Sequence, residues 1–327
     1  MAKNKRNVNS NKRITITDRK HGLPYSKGLL ASSIMATGLA PSRAYQVARS
    51  VEETLRSKNK YAISIRELRE LTENILLHDV GEDYQEKYIK WQSLSKLDKP
   101  LIILIGGTTG VGKSTIATEL AHRLGITRII STDAIREVMR AIFSEDLMPA
   151  LYRSSFDAWQ QLRVPPPEKS DPIMVGFREQ AASVVTGVNA MIQRSITEGA
   201  NQIIEGVHIV PGFIDFSAYE GDALVIPIVI SVEDENLHQS HFYIRELETE
   251  GYRPFEKYKA NFENIRKIGL YIENLAADYN IDIISSFNLD NTISEVLDTI
   301  LDRAIESRDN ISAEKNNSAS KKKTDSK

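Results

Sequence analysis

The sequence predicts an α/β protein: a parallel sheet with helices on both faces, preceded by a smaller, mostly helical unit. Three observations carry this. The apolar run Leu101–Ile105 breaks into a glycine-rich turn and restarts as a helix. From Pro100 onward, short apolar runs alternate with segments of helical spacing, the pattern of strand–helix–strand units. Before that point, residues 13 to about 95 carry mainly helical spacing.

Residues 1–12 are polar and read as a disordered N-terminus. Arg13 to Thr17 alternates like a short strand. Between Leu29 and Leu55, apolar or small residues recur at helical spacing, and Pro41 divides the stretch into two helices. Ser64 and Glu67 have the spacing of a capping box, with Leu68, Leu71, Ile75 and Leu76 on the inner face of the helix that follows. Residues 84–99 read as a connecting helix and a charged linker.

The larger unit, residues 96–307, has expected strands at Leu101–Ile105, Arg128–Ser131, Gln202–Glu205, Leu224–Ile230 and Asp282–Ser285. Its expected helices are roughly Lys113–Leu124, Asp133–Phe143, Phe177–Glu198, Glu233–Glu248, Tyr258–Tyr279 and Thr292–Glu306. Residues 144–172, with Pro165, Pro166 and Pro167, are the least regular piece and read as an inserted loop. Residues 308–327, rich in Asn, Ser and Lys, read as a disordered polar tail.

Composition excludes several classes. A chain of 327 residues has room for about two domains. Its 41% hydrophobic and 26% charged residues are those of a globular protein. The formal net charge of −2 shows no nucleic-acid surface, so no nucleic-acid partner is expected. With no cysteine, disulfides and thiolate metal sites are excluded. No apolar stretch is long enough to span a bilayer, and no apolar core follows the basic start, so neither a membrane partner nor a secretory signal is expected. A cytoplasmic enzyme is the default, and an oligomer stays open.

The chemistry centres on one loop. Gly107, Gly112, Lys113 and Ser114 fit the G-x-x-x-x-G-K-[ST] phosphate-binding pattern, with a strand before and a helix after as that pattern requires. Gly107, Thr108, Thr109, Gly110, Val111, Gly112, Lys113, Ser114 and Thr115 are the expected cradle. Its backbone N–H groups and the helix N-terminus face a polyphosphate. Lys113 is expected on the β- and γ-phosphates and Ser114 on Mg²⁺, so a nucleoside triphosphate, ATP by default, is the expected ligand.

Three more features sit at strand ends, where open α/β sheets collect ligands. Asp133 and Arg136, three apart at a helix start, share one face. Together they suit an acceptor with a hydroxyl and an anionic group. The competing reading, Asp133 as a helix cap and Arg136 as a solvated charge, stays open. Glu205 ends an apolar strand where such enzymes hold Mg²⁺ or its water, and His208 follows on the same loop. Arg245, Arg253, Lys257 and Arg266 lie in a helix–loop–helix interrupted by Gly251 and Pro254, which reads as a lid bringing an arginine, Arg245 foremost, to the transferring group.

These residues resemble those of P-loop small-molecule kinases, and more narrowly archaeal 2-phosphoglycerate kinases. The resembling stretches are Ile105 to Thr115, Ser131 to Arg136, Ile203 to Gly212 and Asn261 to Ile268, in an order that covers residues 100–307. The resemblance implies a three-layer parallel-sheet kinase fold. It further implies ATP-dependent phosphorylation of the 3-hydroxyl of 2-phosphoglycerate to 2,3-bisphosphoglycerate, as in enzymes supplying cyclic 2,3-diphosphoglycerate. In that setting Asp133 would orient or deprotonate the hydroxyl, Arg136 would clamp an anionic group, and Lys113 with Arg245 would neutralise charge. Residues 13–95 resemble an ATP-cone, a regulatory nucleotide-binding module, through Arg19, Lys20, His21 and Gly22 and then Pro24, Tyr25, Ser26 and Lys27. His21 stands where Asp or Asn is usual, and only Leu23 separates Gly22 from Pro24, which shortens the hairpin. Arg19, Lys20 and Lys27 are the phosphate contacts this resemblance implies. Two other readings stay open: a kinase of another small hydroxylated metabolite or nucleotide, and a nucleotide-dependent switch.

Overall fold

The computed structural model of the protein describes residues 13–17, 22–94 and 99–324. The expected disordered segment 1–12 and the cone residues Arg19, Lys20 and His21 lie outside the described residues. By its contacts the chain divides into two compact units, with the boundary between Lys96 and Leu97.

The N-terminal unit runs β1 (Thr15–Ile16), β2 (Leu23–Pro24), α1 (Lys27–Met35), α2 (Pro41–Ser57), β3 (Ala62–Ile63), α3 (Ile65–Asp79) and α4 (Glu82–Leu94). Pro41 opens α2, where its missing N–H costs no helical bond. The capping box at α3 forms in both directions: Ser64 accepts from the Glu67 N–H, and the Glu67 carboxylate accepts from the Ser64 N–H. β1 pairs antiparallel with β2 and parallel with β3. Two-residue strands carry no readable alternation, and the sequence marks only the first of the three. Ile34, Met35, Val47, Val51, Leu55, Leu76 and Tyr88 fill the core of this unit.

The second unit contains β4 (Leu101–Gly106), α5 (Lys113–Leu124), β5 (Ile129–Ser131), α6 (Thr132–Ile142), α7 (Pro172–Glu198), β6 (Gln202–Glu205) and β7 (Leu224–Ser231). It continues with α8 (Glu235–Glu248), α9 (Phe255–Ala260), α10 (Phe262–Asp278), β8 (Asp282–Ser285) and α11 (Leu289–Thr324). The five strands are all parallel, in the order β5-β6-β4-β7-β8. Each lies within one residue of its expected bounds. Ile102 and Leu104 pack with Val184, Val188 and Ile192 of α7, while Ile103 and Ile105, of the opposite alternation, are equally buried. The central strand is therefore covered on both faces, as its unbroken apolar run requires. Each of these side chains contributes about 1.5–3 kcal/mol by burial.

Three expectations need correction. The helix expected over Tyr258–Tyr279 is two helices, because Asn261 turns its side-chain amide onto the Lys257 carbonyl at 2.9 Å and competes with the helical ladder. The insert at 144–172 is not wholly irregular: it carries short 3₁₀ turns at Pro149–Tyr152 and Ala158–Gln161. The tail expected to be disordered from residue 308 continues α11 as helix through Thr324, in a stretch without Gly or Pro to stop it.

Candidate active site

The strand order reverses at β4, which lies between β6 and β7. The loop after β4 therefore opens into the crevice where such sheets bind ligands. In that loop Gly107, Gly110 and Gly112 take φ of +130°, +90° and +87°. Gly110 is required sterically as well, since a Cβ there would lie 2.5 Å from the Phe242 ring. Two histidines of α8 hold the loop from the side of that ring. His238 donates from Nε2 to the Thr109 carbonyl at 2.8 Å, and His241 donates from Nδ1 to the Gly110 carbonyl at 2.8 Å. His238 is fully buried, and burial pushes its imidazole down to about 4, so it is neutral at pH 7 and its tautomer is fixed by the carbonyl.

Lys113 opens α5, buried, with its ammonium 2.6 Å from the Thr108 carbonyl. Burial lowers its pKa to about 8 against the pull of Glu205 and Asp133, with Arg245 adding to the lowering. Ser114 donates to Glu205 Oε1 at 3.0 Å, joining the helix start to the end of β6. A hydroxyl and a carboxylate side by side beneath a phosphate cradle are the hard oxygen donors Mg²⁺ takes, so these two residues fit that ion.

At the end of β5, Ser131 caps α6 by accepting from the Ala134 N–H at 3.1 Å. The cap is thus Ser131, and the reading of Asp133 as the cap falls. The Asp133 side chain is 63% exposed in a concave part of the cleft, whereas Arg136 is only 16% exposed. Burial among the cleft walls works to raise the Asp133 carboxyl, but His208, Arg136 and Lys113 outweigh it and hold the group below its ordinary value. Arg136 reaches Asp133 at 3.4 Å from Nε and donates from Nη1 to the carbonyls of Leu151 at 2.8 Å and Arg153 at 3.4 Å. It fastens the insert and orients the carboxylate.

His208 is buried beneath this corner. Its Nε2 donates to Gln180 Oε1 at 3.0 Å, its Nδ1 accepts from the Thr132 hydroxyl at 2.8 Å, and burial pushes its pKa down to about 4. Gln180 in turn donates to the carbonyl of Arg153 at 2.9 Å. Gly206 makes room for the approach, because a Cβ there would lie 1.8 Å from Thr132 Oγ1. Thus α6, the loop after β6, α7 and the insert are tied by one chain of hydrogen bonds. The structure brings His208 to the site as a support.

The expected lid arginines divide. Arg245 lies at the centre: burial and Arg253 lower its pKa, while Tyr258, Asp133 and Glu205 act to raise it, so both site carboxylates are within its electrostatic reach. Its guanidinium sits 5.8 Å from the Tyr258 ring centroid. Arg266 is committed elsewhere, donating to the carbonyls of Val232 and Glu233. Lys257 meets the insert at Ser154 Oγ, 3.2 Å away. Sequence reasoning missed Thr132, Gln180, His238 and His241. Their partners lie as far as 131 positions away in the chain, with no shared motif to link them.

A glycine cradle, a lysine at a helix start, a hydroxyl–carboxylate pair and an open carboxylate across the cleft define a P-loop kinase, an ATP-dependent phosphotransferase. No protein-family model matches the chain. It is 40% identical over 289 residues to the 2-phosphoglycerate kinase of Methanopyrus kandleri, covering 88% of this chain and 87% of that protein. It is 42% identical over 285 residues to that of Methanothermobacter thermautotrophicus, covering 87% and 92%. It is 39% identical to that of Pyrococcus horikoshii, covering 88% and 93%. Among solved structures, shikimate kinase from Acinetobacter baumannii in complex with shikimate aligns with 64% of this chain and 97% of its own at 14% identity, with a TM-score of 0.37. The sequence relatives decide the family: the chain belongs to the 2-phosphoglycerate kinases.

Proposed function

We propose that the protein transfers the γ-phosphoryl group of ATP to the 3-hydroxyl of 2-phosphoglycerate, giving ADP and 2,3-bisphosphoglycerate, the precursor of cyclic 2,3-diphosphoglycerate. Membership in the family supports the substrate. The single structural observation that supports the chemistry is the exposed, ionised Asp133 with the cations Lys113 and Arg245 within its electrostatic reach.

The loop amides from Gly107 to Thr115 hold the triphosphate, with Lys113 on the β- and γ-oxygens. Ser114 and Glu205 would hold Mg²⁺, which when bound neutralises charge on those oxygens. Asp133 accepts a hydrogen bond from the acceptor hydroxyl and aims it in line. As the acceptor oxygen bonds to the γ-phosphorus, the bond from phosphorus to the bridging oxygen breaks and its electron pair leaves with ADP. The hydroxyl proton passes to Asp133 and on to water. A carboxylate held below its ordinary pKa is a weak base, so its main effect is orientation, with proton transfer late. Lys113 and Arg245 stabilise the oxygens of the group in flight. Arg136 acts through Asp133 and the insert, as a positioning residue.

Both substrates are soluble cell metabolites, which supports a cytoplasmic location; no helix among the described residues is long and apolar enough to cross a membrane. In the cone-like unit Lys27 pairs with Glu52 at 2.9 Å, which supports inheritance of the fold without a working phosphate site. Calorimetric titration of the full chain with a non-hydrolysable ATP analogue is expected to give one site per chain. A second site would reverse that reading.

An ADP-release assay across 2-phosphoglycerate, 3-phosphoglycerate, shikimate, gluconate and nucleosides tests the substrate. Turnover with 2-phosphoglycerate well above the others is expected. Absence of turnover with that acid would sink the proposal.

A further inference from the structure

Resting on the reading that the acceptor is 2-phosphoglycerate, we propose that Arg153 of the insert and Lys257 of the lid bind its anionic groups and set the preference for a phosphorylated hydroxy acid. Near neutral pH such an acceptor carries a phosphate of roughly −1.5 to −2 and a carboxylate, and it needs cations that no protein carboxylate already holds.

Arg136, the sequence's candidate for this task, turns Nε and Nη1 to Asp133 and to two backbone carbonyls. Those contacts instead bring another cation to the corner. The carbonyl of Arg153 is fixed by donors from both Arg136 and Gln180, while its side chain is exposed and has no ion pair among the described residues. Lys257 faces the same segment from α9, with Nζ 3.2 Å from Ser154 Oγ and 5.8 Å from the Phe156 ring centroid. It too has no carboxylate within ion-pair distance among the described residues.

The acid common to both cations is Asp157. Burial raises its pKa, and Lys257 and then Arg153 act to lower it, so both lie within its field although neither is paired to it. The two are also joined to the reaction centre. Tyr258, next to Lys257, meets Phe156 edge-on at 6.0 Å and stacks on Phe242 at 4.7 Å, and Arg245 lies over its ring. Arg136 meets both Asp133 and the Arg153 carbonyl, so the two cations are linked to Asp133 through Arg136 and to Arg245 through Tyr258. Lid and insert together close on the anion.

Steady-state kinetics of the full-length protein test this with Lys257→Met, Arg153→Gln and the charge-preserving Lys257→Arg. Each neutral variant is expected to raise KM for 2-phosphoglycerate about tenfold or more, with kcat and KM for ATP moving less than about threefold. Preference for 2-phosphoglycerate over glycerate, which lacks the phosphate, should fall by a similar factor, and Lys257→Arg should stay near wild type. An unchanged KM for the acceptor, an equal rise in KM for ATP, or Lys257→Arg as impaired as Lys257→Met would overturn the assignment. A wild type that fails to turn over 2-phosphoglycerate removes the parent reading instead. The cation pair is then judged by whether inorganic phosphate, with an ATP analogue present, raises the melting temperature of wild type but not of Lys257→Met; equal shifts would overturn it.

Discussion

In the proposed mechanism the donor wall takes its cradle and two of its side chains from residues 107–115, whereas the acceptor wall draws on Asp133, Arg136, the 151–157 stretch and the lid between Arg245 and Tyr258. The first is a local object: three glycines in left-handed conformations, a lysine at a helix start and a serine beside it. The second exists only once α6, the insert, α7 and the lid have packed, because hydrogen bonds through Arg136 and Gln180 and the ring contacts of Tyr258 hold it together. Such a division predicts that nucleotide binding is indifferent to the acceptor and that acceptor choice can change without disturbing the loop.

The contrast can be broken by substitution. Lys113→Ala should lower turnover about 10²–10³-fold or more, through loss of charge stabilisation, with the far-ultraviolet circular dichroism of wild type. Asp133→Asn should lower kcat about 10²-fold while leaving KM for ATP unchanged. A comparable loss of ATP affinity there would show that the two walls are not separable.

The pH dependence sharpens the same point. Because burial depresses Lys113 to about 8 in the free protein, its charge is lost as pH rises through that value. kcat/KM for ATP, which reports the free enzyme, should therefore fall about tenfold per unit above pH 8. The limb in kcat should lie higher, since bound phosphates favour the ammonium. Asp133, held low, should put the acid limb below the usual carboxylate range. A kcat/KM profile for ATP flat to pH 10 would contradict the burial of Lys113.

The smallest effect concerns the two histidines holding the loop. His238→Phe with His241→Leu removes both donors to the Thr109 and Gly110 carbonyls and should raise KM for ATP about tenfold, each bond being worth about 1 kcal/mol or somewhat less. His238→Gln with His241→Asn, which keep amide donors at those places, should recover most of it. Equal impairment of both pairs would argue that packing against Phe242, not hydrogen bonding, orients the loop.

How far these walls were legible in the sequence follows from their construction. The five strands of the sheet could be read because each holds two or more consecutive apolar residues that end at a polar residue or a glycine, and the loop could be read because its glycines and lysine fall within seven residues. Asp133 and Glu205 were findable from their places at strand ends. His238 and His241 were not: on a helix, histidines four positions from a phenylalanine or beside it look like surface and core filler, and their partners are backbone carbonyls over 120 positions earlier. Arg136 and Arg266 show the opposite failure. Both have the residue type and position of an anion ligand, yet each turns to backbone carbonyls that only the folded chain brings near. Sequence reveals which groups are capable of the chemistry; packing decides which remain available for it.

The central claim is most directly tested by a crystal structure with a non-hydrolysable ATP analogue, Mg²⁺ and 2-phosphoglycerate bound together. The expected result is a γ-phosphate in contact with Lys113 and Arg245, with the acceptor's 3-hydroxyl within hydrogen-bond distance of Asp133 and in line with that phosphorus. An acceptor bound away from Asp133, or a triphosphate lying outside the 107–115 loop, would contradict it.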